Sequence, residues 1–393
     1  MKMLDSMKKE FDGHVFPFWE GLIDKEYGGY YGEMNFDLEL DKKAVKGCIL
    51  NSRILWFFSN AYLTLKDKKY IEYAAAAYEF LKKAFLDKEY GGVYWSVSYD
   101  GKPVEDMKHT YNQAFAIYGL SSYYDATKDE EALKTAFDIF NIIEEKCRDN
   151  DGYLEAFTRV FGDESNEKLS ENGVMATRTM NTLLHVMEGY TELYRVSGDE
   201  KVKEKICEIL DIFRNKIFNP AEERMEVFFD ADYNSLIDLH SFGHDIETAW
   251  LIDRTVEVLK AEGTKYDMSD ITKVLTEKIY RDCFEGDCLP AEKCKGVVEE
   301  TRVWWVECET VIGFINGYQK TGDRKYLDAA EKTWKYIEKY IIDPREGSEW
   351  YSDVNKDGVP ESRKPIVDAW TCPYHNGRMY FEVLNRMKQI KEG

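Results

Sequence analysis

Histidine is the side chain best suited to both take and give a proton near neutral pH, and this sequence holds only six: His14, His109, His185, His240, His244 and His375. In the run His240-Ser-Phe-Gly-His244-Asp-Ile-Glu247-Thr-Ala-Trp250-Leu251, positions 240, 244, 247 and 251 share one stripe if the segment is helical. His244 then has the Glu247 carboxylate one turn on, which would fix its tautomer and raise its basicity, as proton transfer requires. A buried ion pair with structural work alone fits the same spacing. So does a His-x-x-x-His metal site, although no third ligand is evident. His375 lies in Pro373-Tyr-His-Asn-Gly-Arg378, and Asn181, His185 and Glu188 form a further same-face set.

Two other groups have the character of site residues. Arg53 sits in the run Leu50-Asn-Ser-Arg-Ile-Leu-Trp-Phe-Phe58, where a guanidinium needs a partner or a ligand oxygen; a salt bridge to an outer layer is the plainer reading. Trp304, Trp305 and Glu309 open another helical segment, with Trp305 and Glu309 on one face. Paired tryptophans serve a core, but a ring beside a carboxylate also suits stacking on a sugar and bonding its hydroxyls.

An internal repeat supplies the elements that must position these groups. Tyr27-Gly-Gly-Tyr-Tyr returns as Tyr90-Gly-Gly-Val-Tyr-Trp, more loosely as Asp151-Gly-Tyr-Leu, and as Glu346-Gly-Ser-Glu-Trp-Tyr; glycines followed by alternating aromatics predict a turn into a short β-hairpin. Leu65-Lys-Asp67, Thr127-Lys-Asp129, Ser197-Gly-Asp199 and Thr321-Gly-Asp323 recur with the same period, each Asp a natural N-cap for an amphipathic helix. Six units of about 63 residues fill the chain. Helices after the hairpins are predicted to begin near Gly47, Lys108, Arg178, His240, Thr301 and Cys372, and an alternate set near Met3, Asp67, Asp129, Asp199, Ser269 and Asp323. The ends pair, so the expected fold is all-α: an (α/α)6 barrel of twelve helices, a single domain over residues 1–393, with short β-hairpins at the cleft face. Five of the six histidines fall at the starts of the post-hairpin helices, which places that set innermost, around one cavity.

Composition narrows the ligand. The chain is 44% hydrophobic and 32% charged, a globular balance, and carries a net charge of −21. Such a field repels nucleic acid and anionic membrane and disfavours a heavily phosphorylated substrate. Aromatic residues make up 15%, more than a core of this size requires and of the kind that lines carbohydrate clefts. No stretch reaches the roughly 18 apolar residues of a membrane span, and the start lacks an apolar signal core. The eight scattered cysteines are expected to be reduced thiols, and the protein to be cytoplasmic. Oligomeric state is not legible in the sequence, and a monomer is the default expectation.

Taken together, Phe16-Pro-Phe-Trp19, Lys46-Gly-Cys-Ile-Leu-Asn-Ser-Arg53, Met107-Lys-His-Thr-Tyr-Asn112, His240 to Trp250, Thr301-Arg-Val-Trp-Trp-Val306 and Pro373-Tyr-His-Asn-Gly-Arg378 resemble the cellobiose 2-epimerases of the N-acylglucosamine 2-epimerase superfamily. The likeness spans essentially the whole chain, and that superfamily has the (α/α)6 fold. It implies catalytic roles for His244 and His375, with Arg53, Asn181 and His185 contacting the reacting sugar and Glu247 holding His244. It further implies that Tyr111, Trp250, Trp304, Trp305, Glu309 and Trp370 bind or shape the sugar subsites. The implied reaction inverts carbon 2 of the reducing-end glucose of a β-1,4-linked disaccharide, converting cellobiose to glucosyl-mannose. Two histidines of near-neutral pKa would exchange acid and base roles across a cis-enediolate. No metal, nicotinamide or nucleotide cofactor is implied, and the partner is a small reducing sugar. A monosaccharide or N-acylglucosamine epimerase, or an aldose–ketose isomerase, on the same barrel is the nearest rival. A glycoside hydrolase working through Glu247 and Glu309 is a more distant one, and a non-catalytic sugar-binding protein the last.

Overall fold

The computed structural model describes residues 2–392. Six helices, Cys48–Leu65, Thr110–Thr127, Met180–Ser197, Phe242–Leu259, Trp304–Thr321 and His375–Glu392, are each 18 residues long. Each packs on the next, and the last packs on the first, so they close a ring. Their neighbours in sequence form an outer ring: Lys2–Glu10 running on to Gly21, then helices from Lys69, Glu130, Glu200, Ser269 and Arg324. The two sets make twelve helices among the described residues, an (α/α)6 barrel. Five of the outer helices pass through a wider i→i+5 turn, as at Leu81–Phe85 and Ile337–Ile341.

The recurring Lys-Asp and Gly-Asp strings are the hinges between rings. Lys66, Lys128, Gly198, Lys260 and Gly322 end their inner helices in the left-handed conformation, which halts the helix and reverses the chain. The following Asp129, Asp199 and Asp323 accept the first free amides of the next outer helix. Close approach of the inner helices depends on two glycines: a Cβ at Gly119 would lie 2.7 Å from the Ser52 carbonyl oxygen, and one at Gly189 2.8 Å from that of Ala114.

Short strands enter the inner helices and pair antiparallel with strands farther along the chain. Lys46–Gly47 pairs with Ser96–Val97, Lys108–His109 with Ala156–Phe157, Arg178–Thr179 with Phe228–Phe229, Leu239–Ser241 with Glu292–Cys294, and Arg302–Val303 with Asp353–Val354. A bridge between Met34 and Val367 completes this rim. In the first three units a buried cation in the entering strand latches onto the Asp that opens the glycine turn. Lys46 Nζ donates to Asp24 at 2.6 Å, Lys108 Nζ to Asp87 at 3.0 Å and Arg178 Nη2 to Asp149 at 2.6 Å. The other oxygen of each Asp accepts turn amides, so one carboxylate fixes both the turn and the start of an inner helix. All eight cysteines are free thiols, and no helix among the described residues is long and apolar enough to cross a membrane.

Candidate active site

The rim brings the N-terminal ends of the inner helices to one face of the ring, around a cavity of about 400 Å3, a volume usual for small-molecule sites. The first four inner helices contribute Arg53, Tyr111, Asn181, His185, His244 and Glu247 to its wall. Trp304 and Trp305 come from the fifth, His375 from the sixth, and Trp370 from the segment leading into the sixth.

Three imidazoles therefore share one cavity, and each is held by its Nδ1. His185 Nδ1 donates to Glu188 Oε2 at 2.9 Å and His375 Nδ1 to Glu309 Oε1 at 2.7 Å. His244 Nδ1 and the Ser241 hydroxyl share a hydrogen bond of 2.7 Å. The nitrogen left for a ligand is Nε2 in every case. With Nδ1–H committed to a carboxylate, Nε2 of His185 and of His375 carries a lone pair and is a base. A serine hydroxyl either donates or accepts, so His244 is free to present a lone pair or an N–H. The Trp305 ring lies 4.8 Å from the His244 ring and 5.6 Å from the His375 ring, and Trp304 stands edge-on to His375 at 5.2 Å.

The near-neutral pKa expected of His244 and His375 is not what their surroundings impose. Burial, and then the neighbouring His185, hold the His244 imidazole down to about 3. Burial followed by the guanidinium groups of Arg378 and Arg53 pushes His375 well below its ordinary value. At both rings the surroundings disfavour the imidazolium form. The carboxylates diverge. Burial and then Glu309 raise Glu247 to about 7, whereas at Glu188 the same burial is outweighed by Arg378 and His185, which bring it down to about 2.

Arg53 is the polar anchor of the opposite wall. Its Nη2 donates to the Tyr111 hydroxyl at 2.8 Å and its Nη1 to the Trp370 carbonyl at 3.3 Å, while its plane lies 4.3 Å over Phe115. The buried Nε of Arg53 and the buried Oδ1 of Asn181 have no protein partner. Such groups are costly in a folded core and useful in a site that takes a polyhydroxylated ligand. Trp370, 37% exposed, stands near the rings of Tyr111 and Trp95 at the outer edge.

Four expectations are corrected. Glu247 does not hold His244: its carboxylate is taken by Arg378, and Ser241 holds the imidazole instead. Trp250 and Glu309 do not line the cavity; both are buried behind it, where the Trp250 indole N–H donates to Glu309 at 2.8 Å. Glu309 is thereby withdrawn from the pair of carboxylates a hydrolase would need. Of the five helix-start histidines, two face elsewhere: His109 is buried against Asn166, and His240 pairs with Asp245 on the wall of a separate cavity. Donor atoms of Glu247, Glu309 and His375 do converge within 4.8 Å of one another. The Arg378 guanidinium already bonds both carboxylates there, filling the place a metal ion would need.

Ser241 and Arg378 are the residues the sequence reading left without a role at the site, whereas Glu188 falls on the stripe of Asn181 and His185. Arg378 carried a signal, being one turn from His375 in a helix too buried to leave a guanidinium unpartnered. A larger cavity of about 550 Å3 opens at the other end of the ring, where the inner helices finish. It contains no histidine, and its arginines are engaged: Arg195 and Arg254 on Glu192, Arg386 on Glu382.

A ring of this kind, carrying three imidazoles and an arginine around one cavity, defines the class, and sequence comparison gives the family. The profile of the N-acylglucosamine 2-epimerase (GlcNAc 2-epimerase) family matches residues 29–376, and the chain belongs to that family. Within it, the chain is 48% identical to a cellobiose 2-epimerase of Ruminococcus albus, over 98% of this chain and 99% of the relative. It is 46% identical to one of Eubacterium cellulosolvens, over 96% of each. The solved structure of cellobiose 2-epimerase from Bacillus thermoamylovorans superposes with a TM-score of 0.95 at 42% identity, covering 98% of this chain and 99% of that one.

Proposed function

We propose that the whole ring is one catalytic unit, a cellobiose 2-epimerase that interconverts glucose and mannose at the reducing end of β-1,4-linked disaccharides. The observation that carries this is the set of imidazoles with committed Nδ1 and available Nε2 around a cavity with unpaired polar groups. Full-length likeness to several cellobiose 2-epimerases supports the substrate.

Opening of the reducing-end ring exposes an aldehyde at carbon 1 and acidifies the hydrogen on carbon 2. One of His244 and His375 removes that proton through Nε2. The C–H electron pair moves into the bond between carbons 1 and 2, and charge passes to the carbonyl oxygen as an enediolate. Arg53, permanently charged, and the Tyr111 hydroxyl stabilise the oxygen. The imidazolium forms next to the anion it created, which is how a histidine held down by burial becomes protonated at all. Rotation about the bond between carbons 2 and 3 presents the opposite face, and the other imidazole, once the abstracted proton has been relayed to its Nε2, delivers it there. The net proton passes between the two histidines through exchangeable positions. Trp370 offers a flat apolar face to the second sugar.

Incubation with cellobiose in deuterated water tests the reading. Glucosyl-mannose should appear with deuterium at carbon 2 and none at carbon 1, and without free glucose. Release of glucose would mean hydrolysis, and epimer free of deuterium would mean hydride transfer or a shielded single base.

A further inference from the structure

One side chain holds the cavity floor without reaching the cavity. Arg378, one turn along the helix from His375, is only 1% exposed and forms part of the wall between the two cavities of the ring. Its Nη1 donates to Glu188 Oε1 at 2.6 Å and to the Tyr374 hydroxyl. Its Nη2 donates to Glu309 Oε1 at 2.7 Å and to Glu247 Oε1. The three carboxylates belong to the third, fourth and fifth inner helices, so one guanidinium on the sixth ties together four of the six.

Two of those carboxylates pass the constraint on. Glu188 uses its second oxygen to accept from His185 Nδ1 at 2.9 Å and from the Tyr374 hydroxyl at 2.5 Å. Glu309 accepts from His375 Nδ1 on the oxygen that Arg378 also bonds, and from Trp250 on the other. Only a planar fork with donors on both arms reaches carboxylates on two sides at once; an ammonium is a single point. Three buried carboxylates facing one guanidinium is also an uneven count of charge, unlike the single pairing of Lys46 with Asp24 at the rim. A group that served stability alone would be better matched.

We propose that Arg378 is the positioning residue of the site: its two arms, acting through Glu188 and Glu309, fix the ring planes and the Nδ1–H tautomers of His185 and His375 and so keep both Nε2 atoms aimed at the sugar. The proposal rests on the acid–base reading above. An arginine that shapes two bases without touching substrate should affect turnover and leave binding nearly unchanged.

The experiment pairs kinetics with ¹⁵N NMR of protein labelled at histidine, which reports each tautomer without any substrate. In the full-length protein, His185 and His375 should show single Nδ1–H forms. Arg378→Lys, shown to be folded by circular dichroism, should give mixed tautomers at both rings and lower kcat on cellobiose by about a hundredfold, with KM within about threefold. Glu188→Gln should disturb His185 alone and Glu309→Gln His375 alone, and these two variants decide the matter if Arg378→Lys does not fold. Unchanged tautomers and a kcat within about threefold of the parent in folded Arg378→Lys, or in both glutamine variants, would overturn the proposal. Wild-type protein with the expected tautomers but no epimerisation of cellobiose would overturn the functional reading and leave the positioning role standing.

Discussion

The two ends of the ring are built from the same six helices and solve opposite problems. Where the inner helices finish, the cavity is the larger, about 550 Å3, and its arginines are engaged by carboxylates. Where they begin, the cavity is smaller, about 400 Å3, yet Arg53 Nε and Asn181 Oδ1 are unpaired and three Nε2 atoms face inward. Volume therefore does not mark the site; unspent hydrogen-bonding capacity does. A satisfied polar network contributes rigidity, whereas unpaired groups gathered beside free imidazole nitrogens offer a ligand its hydrogen bonds.

The sharpest way to break this contrast is to alter each end and measure both turnover and stability. His244→Ala and His375→Ala should each lower kcat on cellobiose by at least about a hundredfold, the usual worth of a positioned acid or base. Steady-state rates on variants shown to be folded check this, and near-normal turnover in His375→Ala would remove it from the chemistry. At the far end the pattern should invert. Glu192 accepts from Arg195 at 2.6 Å and Arg254 at 3.0 Å, so Glu192→Gln should cost about 3 kcal/mol in denaturant unfolding while kcat stays within about twofold.

Stability against pH separates the two ends with a smaller effect. Glu155, which holds the amide of Thr179 at the start of the third inner helix, is raised by burial from 4.5 to about 7. The folded state keeps this proton more tightly than the unfolded one. Its contribution is therefore complete below pH 4.5 and is lost as pH rises through about 7. Glu192 is lowered because its two arginines outweigh its burial, so its contribution is lost in the other direction, as pH falls. Glu155→Gln should remove about 2 kcal/mol of the decline between those limits, seen as a flatter plot of unfolding free energy against pH. If the slope is unchanged, Glu155 is ionised in the folded protein. The mildest effect belongs to the rim: Trp370→Ala should raise KM for cellobiose about tenfold, as loss of one stacking surface does, with kcat within about threefold because stacking is similar in ground and transition states. A fall in kcat alone would move Trp370 from binding into the chemistry.

Much of the architecture was legible because each hinge has a local cause. A left-handed residue followed by an Asp cap leaves the same trace at Lys128-Asp129, Gly198-Asp199 and Gly322-Asp323, and only the hinge at Lys260 lacks the Asp. The latches were not legible, since Lys46 and Asp24 are joined only when the hairpin folds back. At the site, helix-start position correctly gathered His185, His244 and His375 at one cavity but could not say which way a side chain faces. His240 and Ser241 are adjacent in a strand, where successive side chains point to opposite sides; Ser241 lines the site and His240 another cavity. The spacing from His244 to Glu247 predicted a contact along one helix, whereas the carboxylate on His375 comes from a different helix, 66 residues away. Cross-helix partners are a property of the ring and leave no period in the chain.

Closure of the ring sets the order in which the protein becomes competent. Arg53, on the first inner helix, and Cys372, in the segment leading into the last, meet across 319 residues of sequence. As the chain leaves the ribosome, five units are able to stack while the site still lacks His375 and Arg378, so no intermediate with a missing final helix has an assembled proton-transfer site. The same seam runs in reverse on heating. Undocking of the terminal helix is a local opening that costs less than global unfolding, so catalytic activity should vanish at a lower temperature than the bulk helical signal.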